Sequence, residues 1–148
     1  MTGRSRAMVV PMLVTACDAS WGWLLSTFVK PWLLPQLSRN PLEATQLLDQ
    51  TIEPRLWISY AVVLAAQLAW VNLIIPGSRS TRQLRLIWWL GCLLITCVSI
   101  LVHQDLVVQA EPGLLILAVQ FTDLILLYWL ATRLLTPLPQ RKVIPGWW

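Results

Sequence analysis

Three long apolar stretches constrain the fold of this chain more than any other feature of its sequence. They cover residues 56–75, 84–102 and 113–135 and hold at most two charged residues each. A helix needs about 20 mainly apolar residues to cross a bilayer. Prolines stand within two residues of both ends of the first and third stretches, where they suit a first helical turn or the position after a last one. The sequence therefore predicts three transmembrane helices.

The composition supports this prediction, because 57% of the residues are hydrophobic and only 12% are charged. A soluble domain is about 45–50% apolar and about 25% charged, so this chain cannot cover a water-soluble surface. The same values exclude an intrinsically disordered chain. We expect one all-α, multi-pass membrane domain over residues 1–148.

A fourth span is predicted over residues 8–29, although Pro11, Asp18 and Gly22 interrupt it. Two alternatives stay open. In the first, the segment forms a pair of half-helices and Asp18 caps the second one. In the second, it is a secretion signal. The run Leu-Val-Thr-Ala-Cys at 13–17 resembles a bacterial lipobox, in which the cysteine is lipidated, but another apolar run follows almost at once.

The charged residues indicate the topology of a four-helix chain. If four helices alternate, eight of the eleven basic residues fall on one side: Arg4, Arg6, Arg79, Arg82, Arg85, Arg133, Arg141 and Lys142. The other side receives Lys30, Arg39 and Arg55, with five of the seven acidic residues. Basic residues favour the cytoplasmic side of a membrane. We therefore expect a protein of the bacterial inner membrane or the thylakoid, with both termini in the cytoplasm or the stroma.

Ten tryptophans stand against two tyrosines and two phenylalanines. Indole rings favour the membrane–water interface, where the apolar ring and the N–H group both find suitable surroundings. Six of them are predicted interface anchors: Trp32, Trp57, Trp70, Trp88, Trp89 and Trp129. Contact with a pigment or another ligand is the alternative.

The segments outside the spans predict two further elements. Asn40 as a cap, Pro41 as the first helical residue and the apolar edge of Leu42, Thr45 and Leu48 predict a short amphipathic surface helix over residues 40–50. The proline-rich tail, residues 136–148, is expected to be extended. Its terminal Trp147 and Trp148 are predicted to insert at an interface or dock on a partner.

Two carboxyl groups, those of Asp18 and Asp123, are predicted at mid-membrane depth. An ionised aspartate there costs at least about 2.5–3.5 kcal/mol, so each is expected to be protonated or paired. Gln67 and Gln120 are the predicted companions. The four residues form either interhelical hydrogen bonds or a relay for protons or cations.

Small residues recur at spacings that let helices approach closely. One strip comprises Ala61, Ala65 and Ala69, and a second comprises Cys92, Thr96 and Ser99. His103, the single histidine, is expected to be an interfacial polar residue. The alternative is an axial ligand to chlorophyll or haem shared with a partner.

No motif for nucleotide binding, metalloprotease chemistry or a serine nucleophile occurs, so we expect no enzymatic activity. The scattered basic residues do not indicate nucleic-acid binding. The predicted function is a non-catalytic accessory or assembly subunit of a photosynthetic or respiratory membrane complex. Its partners would be lipids and other membrane subunits, and it would share chlorophyll or carotenoid without requiring either. A small proton- or ion-coupled carrier using Asp18 and Asp123 is the alternative.

Overall fold

The computed structural model describes residues 8–20, 53–77, 79–109 and 111–146, together with single positions between residues 23 and 50. These ranges are helical and contain no strand. Their elements are α1 (Met8–Ser20), α2 (Glu53–Ala69), a π-helix (Trp70–Ile74), α3 (Thr81–Gln109), α4 (Glu111–Leu135) and a 3₁₀ helix (Leu138–Val143).

The buried face of α3 repeats every three or four residues. Its members are Leu84, Trp88, Cys92, Ile95, Ser99 and His103. This spacing places them on one side of the helix, where α3 packs on α4. The Trp88 ring stacks on Tyr128 with 5.7 Å between centroids. A Cβ atom at Gly91 would clash with the Tyr128 hydroxyl, so the glycine permits this close approach.

The third wall of the core is α2, which contacts both α3 and α4. Its buried residues Ser59, Val63, Gln67 and Trp70 again follow helical spacing. Polar and apolar side chains thus alternate within the core, and the π-helix that follows α2 begins with the buried Trp70.

Two helical segments are long and apolar enough to cross a membrane, Pro54–Ile74 and Thr81–Gln104. Only 28% of the most apolar 18-residue window of each is buried, whereas a core helix of a soluble protein would be mostly buried. The outward face of α3 carries leucines that are each 52–64% exposed: Leu86, Leu90, Leu93, Leu94 and Leu101. An apolar surface of this extent favours a membrane location.

The other two predicted spans have different outcomes. The helix predicted over residues 113–135 is present as α4, but its crossing of a membrane stays a prediction. The described part of the first one, α1, has the length of a shorter apolar helix and not of a full span. Asp18 lies inside α1, so the alternative in which it caps a second half-helix is wrong.

Helix α3 begins at Thr81, three residues before its predicted start, because a capping box precedes it. The Ser80 hydroxyl accepts from the Gln83 backbone N–H (3.3 Å), and the Gln83 side-chain oxygen accepts from the Ser80 N–H (2.9 Å). This reciprocal arrangement satisfies two donors that a helix start leaves unpaired. The pattern Ser-x-x-Gln was present in the sequence and was missed.

Six of the eleven positions of the predicted surface helix over residues 40–50 are described, and five of them, residues 42, 45, 46, 49 and 50, are helical. The Asn40 side chain accepts from the Leu42 N–H at 3.1 Å, a bond of the kind that a residue capping a helix start makes. Leu48 is not described.

The expectation of an extended tail after residue 135 is wrong over Leu138–Val143, which form a 3₁₀ helix. Pro137 has the extended conformation before it, and Gln140 and Arg141 both donate backbone bonds to the Pro137 carbonyl. Burial drives this turn, because it brings Val143 and Ile144 into the core with 2% and 3% exposure. Trp147 and Trp148 lie outside the described residues.

Candidate functional site

The two aspartates predicted at mid-membrane depth lie side by side in the fold. Asp18 on α1 and Asp123 on α4 line the same cleft, and the Asp18 carboxyl is close enough to Asp123 and Tyr60 to interact with both electrostatically. The Tyr60 hydroxyl donates to Asp123 Oδ2 at 3.1 Å. Three helices therefore bring two carboxyls and one phenol together, and we call these three residues the carboxyl cluster.

The charge state of the carboxyl cluster is limited by its geometry. Two carboxylates in contact repel each other strongly when both are ionised. They are stable together when they share a proton or hold a cation between them. Asp18 Oδ2 is buried and has no hydrogen-bond partner, so the cluster is incompletely satisfied within the chain.

A cleft of about 530 Å³ opens beside the carboxyl cluster, between α1 and α4. Leu13, Val14 and Cys17 line it from α1, and Leu126 and Leu130 line it from α4. The two aspartates are its acidic groups. Because most of the side chains that line the cleft are apolar, it suits an apolar molecule or an acyl chain better than a hydrated ion.

Gln67 and Gln120 were predicted as companions of the aspartates, but the structure gives them other partners. Gln67 donates to the Leu127 carbonyl (3.4 Å) and accepts from the Thr15 hydroxyl (3.4 Å). Gln120 donates to the Ser59 hydroxyl at 3.5 Å. Both amides are buried and make interhelical hydrogen bonds, which is the first of the two predicted roles, but their partners are residues other than the aspartates. These bonds do not join the four residues into a continuous relay.

Trp70 and Trp88, two predicted interface anchors, are buried at 0% and 3% exposure. The Trp70 N–H donates to the Thr136 hydroxyl and the Trp88 N–H to the Thr132 hydroxyl, both at 3.0 Å. These indoles need no wet interface, since the threonines satisfy their only donors. We call the four residues the Trp–Thr network.

The Trp–Thr network closes on the backbone of α4. The Thr136 hydroxyl donates to the Thr132 carbonyl (2.6 Å), and the Thr132 hydroxyl donates to the Tyr128 carbonyl (2.7 Å). Both threonines are at most 2% exposed. Sequence analysis missed them, although an i, i+4 threonine pair on an apolar helix is the available signal.

Trp57, Trp89 and Trp129 are accessible at the surface, where Trp57 is 57% and Trp89 is 53% exposed. Their anchoring in a membrane interface stays a prediction. Trp129 is half-buried, donates to the Pro145 carbonyl and lies 5.3 Å from the Arg133 guanidinium. Trp32 lies outside the described residues.

His103 is buried at 1% exposure, and its Nδ1–H donates to the Ser99 carbonyl at 2.9 Å. This bond leaves the lone pair on Nε2, which is buried and has no hydrogen-bond partner. The tautomer suits ligation of a metal in a macrocycle. However, such a macrocycle could contact Nε2 only after the side chains that cover the ring moved.

The two small-residue strips differ in burial. On α3, Cys92 and Ser99 are buried and Thr96 is half-buried. On α2, Ala61 and Ala65 are exposed and Ala69 is half-buried. The α3 strip therefore packs within the chain, whereas most of the α2 strip faces outward.

Within the described ranges, no group of three or more His, Cys, Asp or Glu side chains could hold a metal ion. Comparison of the chain with protein-family models, curated proteins and solved structures finds no match. The functional conclusion therefore has to come from the residues and their geometry.

Proposed function

We propose that this protein is a non-catalytic accessory or assembly subunit of a larger membrane complex. One observation carries the proposal. The face of α2 that presents Ala61 and Ala65 is exposed, although small residues four apart form the surface on which membrane helices approach most closely. Trp57 continues this face one turn earlier and is 57% exposed.

The occupant that fits this face is a transmembrane helix of another subunit. Lipid chains pack equally well on any apolar helix, so small residues gain nothing from lipid contact. A helix of a partner can bring its backbone close to α2 at the two alanines. The Trp57 ring would then pack against the side of that partner helix. The α3 strip shows how this chain uses such spacing, since Cys92 lies in the core.

The experiment is purification of the tagged protein from its own membranes in mild detergent. We expect co-purifying subunits that disappear in an Ala61→Leu/Ala65→Leu variant, because leucine side chains hold the partner helix away. Cys97→Leu is the matched control, because Cys97 is also exposed but lies on α3 and not on α2. Migration of the wild type alone, or equal recovery of partners in both variants, contradicts the proposal.

The finer proposal is that the host is a photosynthetic or respiratory complex in a thylakoid or a bacterial inner membrane, with both termini cytoplasmic or stromal. The number of tryptophans and the Nε2 lone pair of His103 support it. An absorption spectrum of the purified complex tests it. Chlorophyll, carotenoid or haem bands are expected, and a spectrum with protein absorption alone contradicts the pigment part.

A proton- or ion-coupled carrier is the second candidate function. The observation in its favour is that Asp18 and Asp123 line the same cleft, with Asp18 Oδ2 unpartnered. The separate partners of Gln67 and Gln120 count against it, because they interrupt the relay that the sequence predicts.

The two candidates respond differently to neutralisation of the carboxyl cluster. Asp18→Asn/Asp123→Asn removes every ionisable carboxyl from it while keeping the shape of the side chains. A carrier loses transport in this variant, whereas a subunit keeps its partners and the activity of its host. Unchanged transport of protons or cations in vesicles, with the variant inserted, eliminates the carrier.

A further inference from the structure

Among the described residues, those at one end of the molecule include six basic residues and no acidic ones. Three chain segments meet there: the π-helix and its following turn, the start of α3, and the end of α4 with the 3₁₀ helix. The six residues are Arg79, Arg82, Arg85, Arg133, Arg141 and Lys142. The sequence has no aspartate or glutamate between residues 54 and 104, or after residue 123.

Two of these residues are engaged in closing helix ends. Arg79 donates to the carbonyls of Leu73 (3.0 Å) and Ile74 (2.6 Å), and Arg141 Nε donates to the Thr136 carbonyl (3.0 Å). Such bonds satisfy carbonyls that a helix end leaves free. The guanidinium charges are not neutralised by them, so both still contribute to the positive potential of this end.

Three others project from the surface and come from two distant parts of the chain. Arg82 and Arg85 are exposed and three residues apart, on one side of the first turns of α3. Arg85 Nη2 lies 3.5 Å from the Lys142 carbonyl oxygen. The 3₁₀ helix thus brings the exposed Lys142 beside α3, and we call Arg82, Arg85 and Lys142 the basic corner.

Exposed leucines adjoin the basic corner. Leu138, on the same 3₁₀ helix as Lys142, is 76% exposed, and Leu86, next to Arg85, is 60% exposed. Cationic side chains beside exposed leucines fit a bilayer surface in which phosphates lie above the acyl chains. If this surface faced only water, these two leucines would have no apolar molecule to contact.

We infer that the basic corner binds the phosphate of an anionic phospholipid headgroup. Arginine donors fit phosphate oxygens in a two-point geometry, and Lys142 adds a third positive charge. The start of α3 adds the partial positive charge of a helix N-terminus. This inference requires a membrane location but no partner subunit, so it and the proposed function can fail separately.

The test uses the detergent-solubilised full chain, with phosphatidylglycerol or phosphatidylcholine added to the micelles and bound lipid counted by native mass spectrometry. We expect retention of phosphatidylglycerol at concentrations where phosphatidylcholine is not retained. Basic residues near an anionic surface each strengthen its binding severalfold. Arg85→Gln/Lys142→Gln should therefore raise the half-saturating phosphatidylglycerol concentration more than about tenfold.

Two controls make the result decisive. Lys30→Gln/Arg39→Gln removes the same charge elsewhere in the sequence and should leave retention unchanged, and Arg85→Lys/Lys142→Arg should largely preserve it. Equal retention of the two lipids, equal loss in the Lys30 and Arg39 variant, or no loss in the Arg85 and Lys142 variant overturns the inference. Displacement by inorganic phosphate at the same concentration overturns the lipid assignment.

Discussion

The small-residue strips of α2 and α3 have nearly the same spacing and opposite positions in the fold. Cys92 and Ser99 on α3 are buried against neighbouring helices, whereas Ala61 and Ala65 on α2 are exposed. Spacing thus predicts a face suited to close packing but not its occupant. Since Ala61 and Ala65 are exposed among the described residues, their face is accessible to another protein.

The two sets of buried polar groups also differ in whether the chain supplies their partners. The Trp–Thr network joins Trp70 and Trp88 to threonines of α4 at 3.0 Å, and its side-chain groups have partners within the chain. The carboxyl cluster leaves Asp18 Oδ2 unpartnered. We therefore assign a structural role to the network, while the cluster remains the place where a proton or cation can bind.

The largest effect on stability is expected where the α3 strip is enlarged. Cys92→Leu inserts a larger side chain into a packed interface and should lower the free energy of unfolding by about 1–3 kcal/mol. Thermal unfolding in detergent, followed by tryptophan fluorescence, measures it. Cys97→Leu makes the same replacement at an exposed position and should change stability little, so equal losses would show that the two sides of α3 do not differ.

A loss of similar size is expected from the Trp–Thr network. Thr136→Val keeps the side-chain shape and leaves the buried Trp70 N–H without an acceptor, which should cost about 1–3 kcal/mol. Thr122→Val is the matched control, because the exposed Thr122 hydroxyl bonds only to the carbonyl of Ala118. The same unfolding assay applies. A control that loses as much as Thr136→Val would contradict the role of the network.

The carboxyl cluster should contribute less to stability. Tyr60→Phe removes the hydroxyl that donates to Asp123 and should cost about 0.6 kcal/mol, the average for a hydrogen bond between membrane helices. Chemical denaturation in mixed micelles measures it. In an Asp123→Ala background, which has no side-chain acceptor, the cost should shrink, whereas an unchanged cost would show that the two side chains do not interact.

The smallest effect on the isolated chain is expected for the α2 strip. Ala61→Leu/Ala65→Leu adds bulk to exposed positions and should change the free energy of unfolding by less than about 0.5 kcal/mol. The purified chain is measured without partners, in the same detergent as Cys92→Leu. A loss as large as that of Cys92→Leu would place the α2 strip inside the fold and remove the contrast between the strips.

The sequence predicted where the helices lie along the chain better than which side of each helix faces the core. The apolar runs and flanking prolines located the starts of α2, α3 and α4 within three residues, because a membrane span is recognised by length and hydropathy alone, but α3 continues seven residues beyond its predicted end. Whether Trp88 faces lipid or core depends on which side of α3 meets α4, and tertiary packing decides that. The same reason explains why Asp123 pairs with Tyr60 and Asp18 and not with Gln120.

Two local features also separate what the sequence shows from what it hides. The Ser80–Gln83 capping box was available as a pattern. The 3₁₀ helix of the tail was not, because its prolines suit extended and helical turns alike, and only the burial of Val143 and Ile144 selects the turn.

The central claim is that the α2 strip packs against a helix of another subunit, and photo-crosslinking in native membranes tests it most directly. A photo-reactive residue is placed at Ala65, and the control is placed at Leu93, which is 57% exposed on α3. We expect an adduct with a different polypeptide from position 65 and lipid adducts alone from position 93. Lipid adducts alone from position 65, or an adduct with a second copy of this chain, would contradict it.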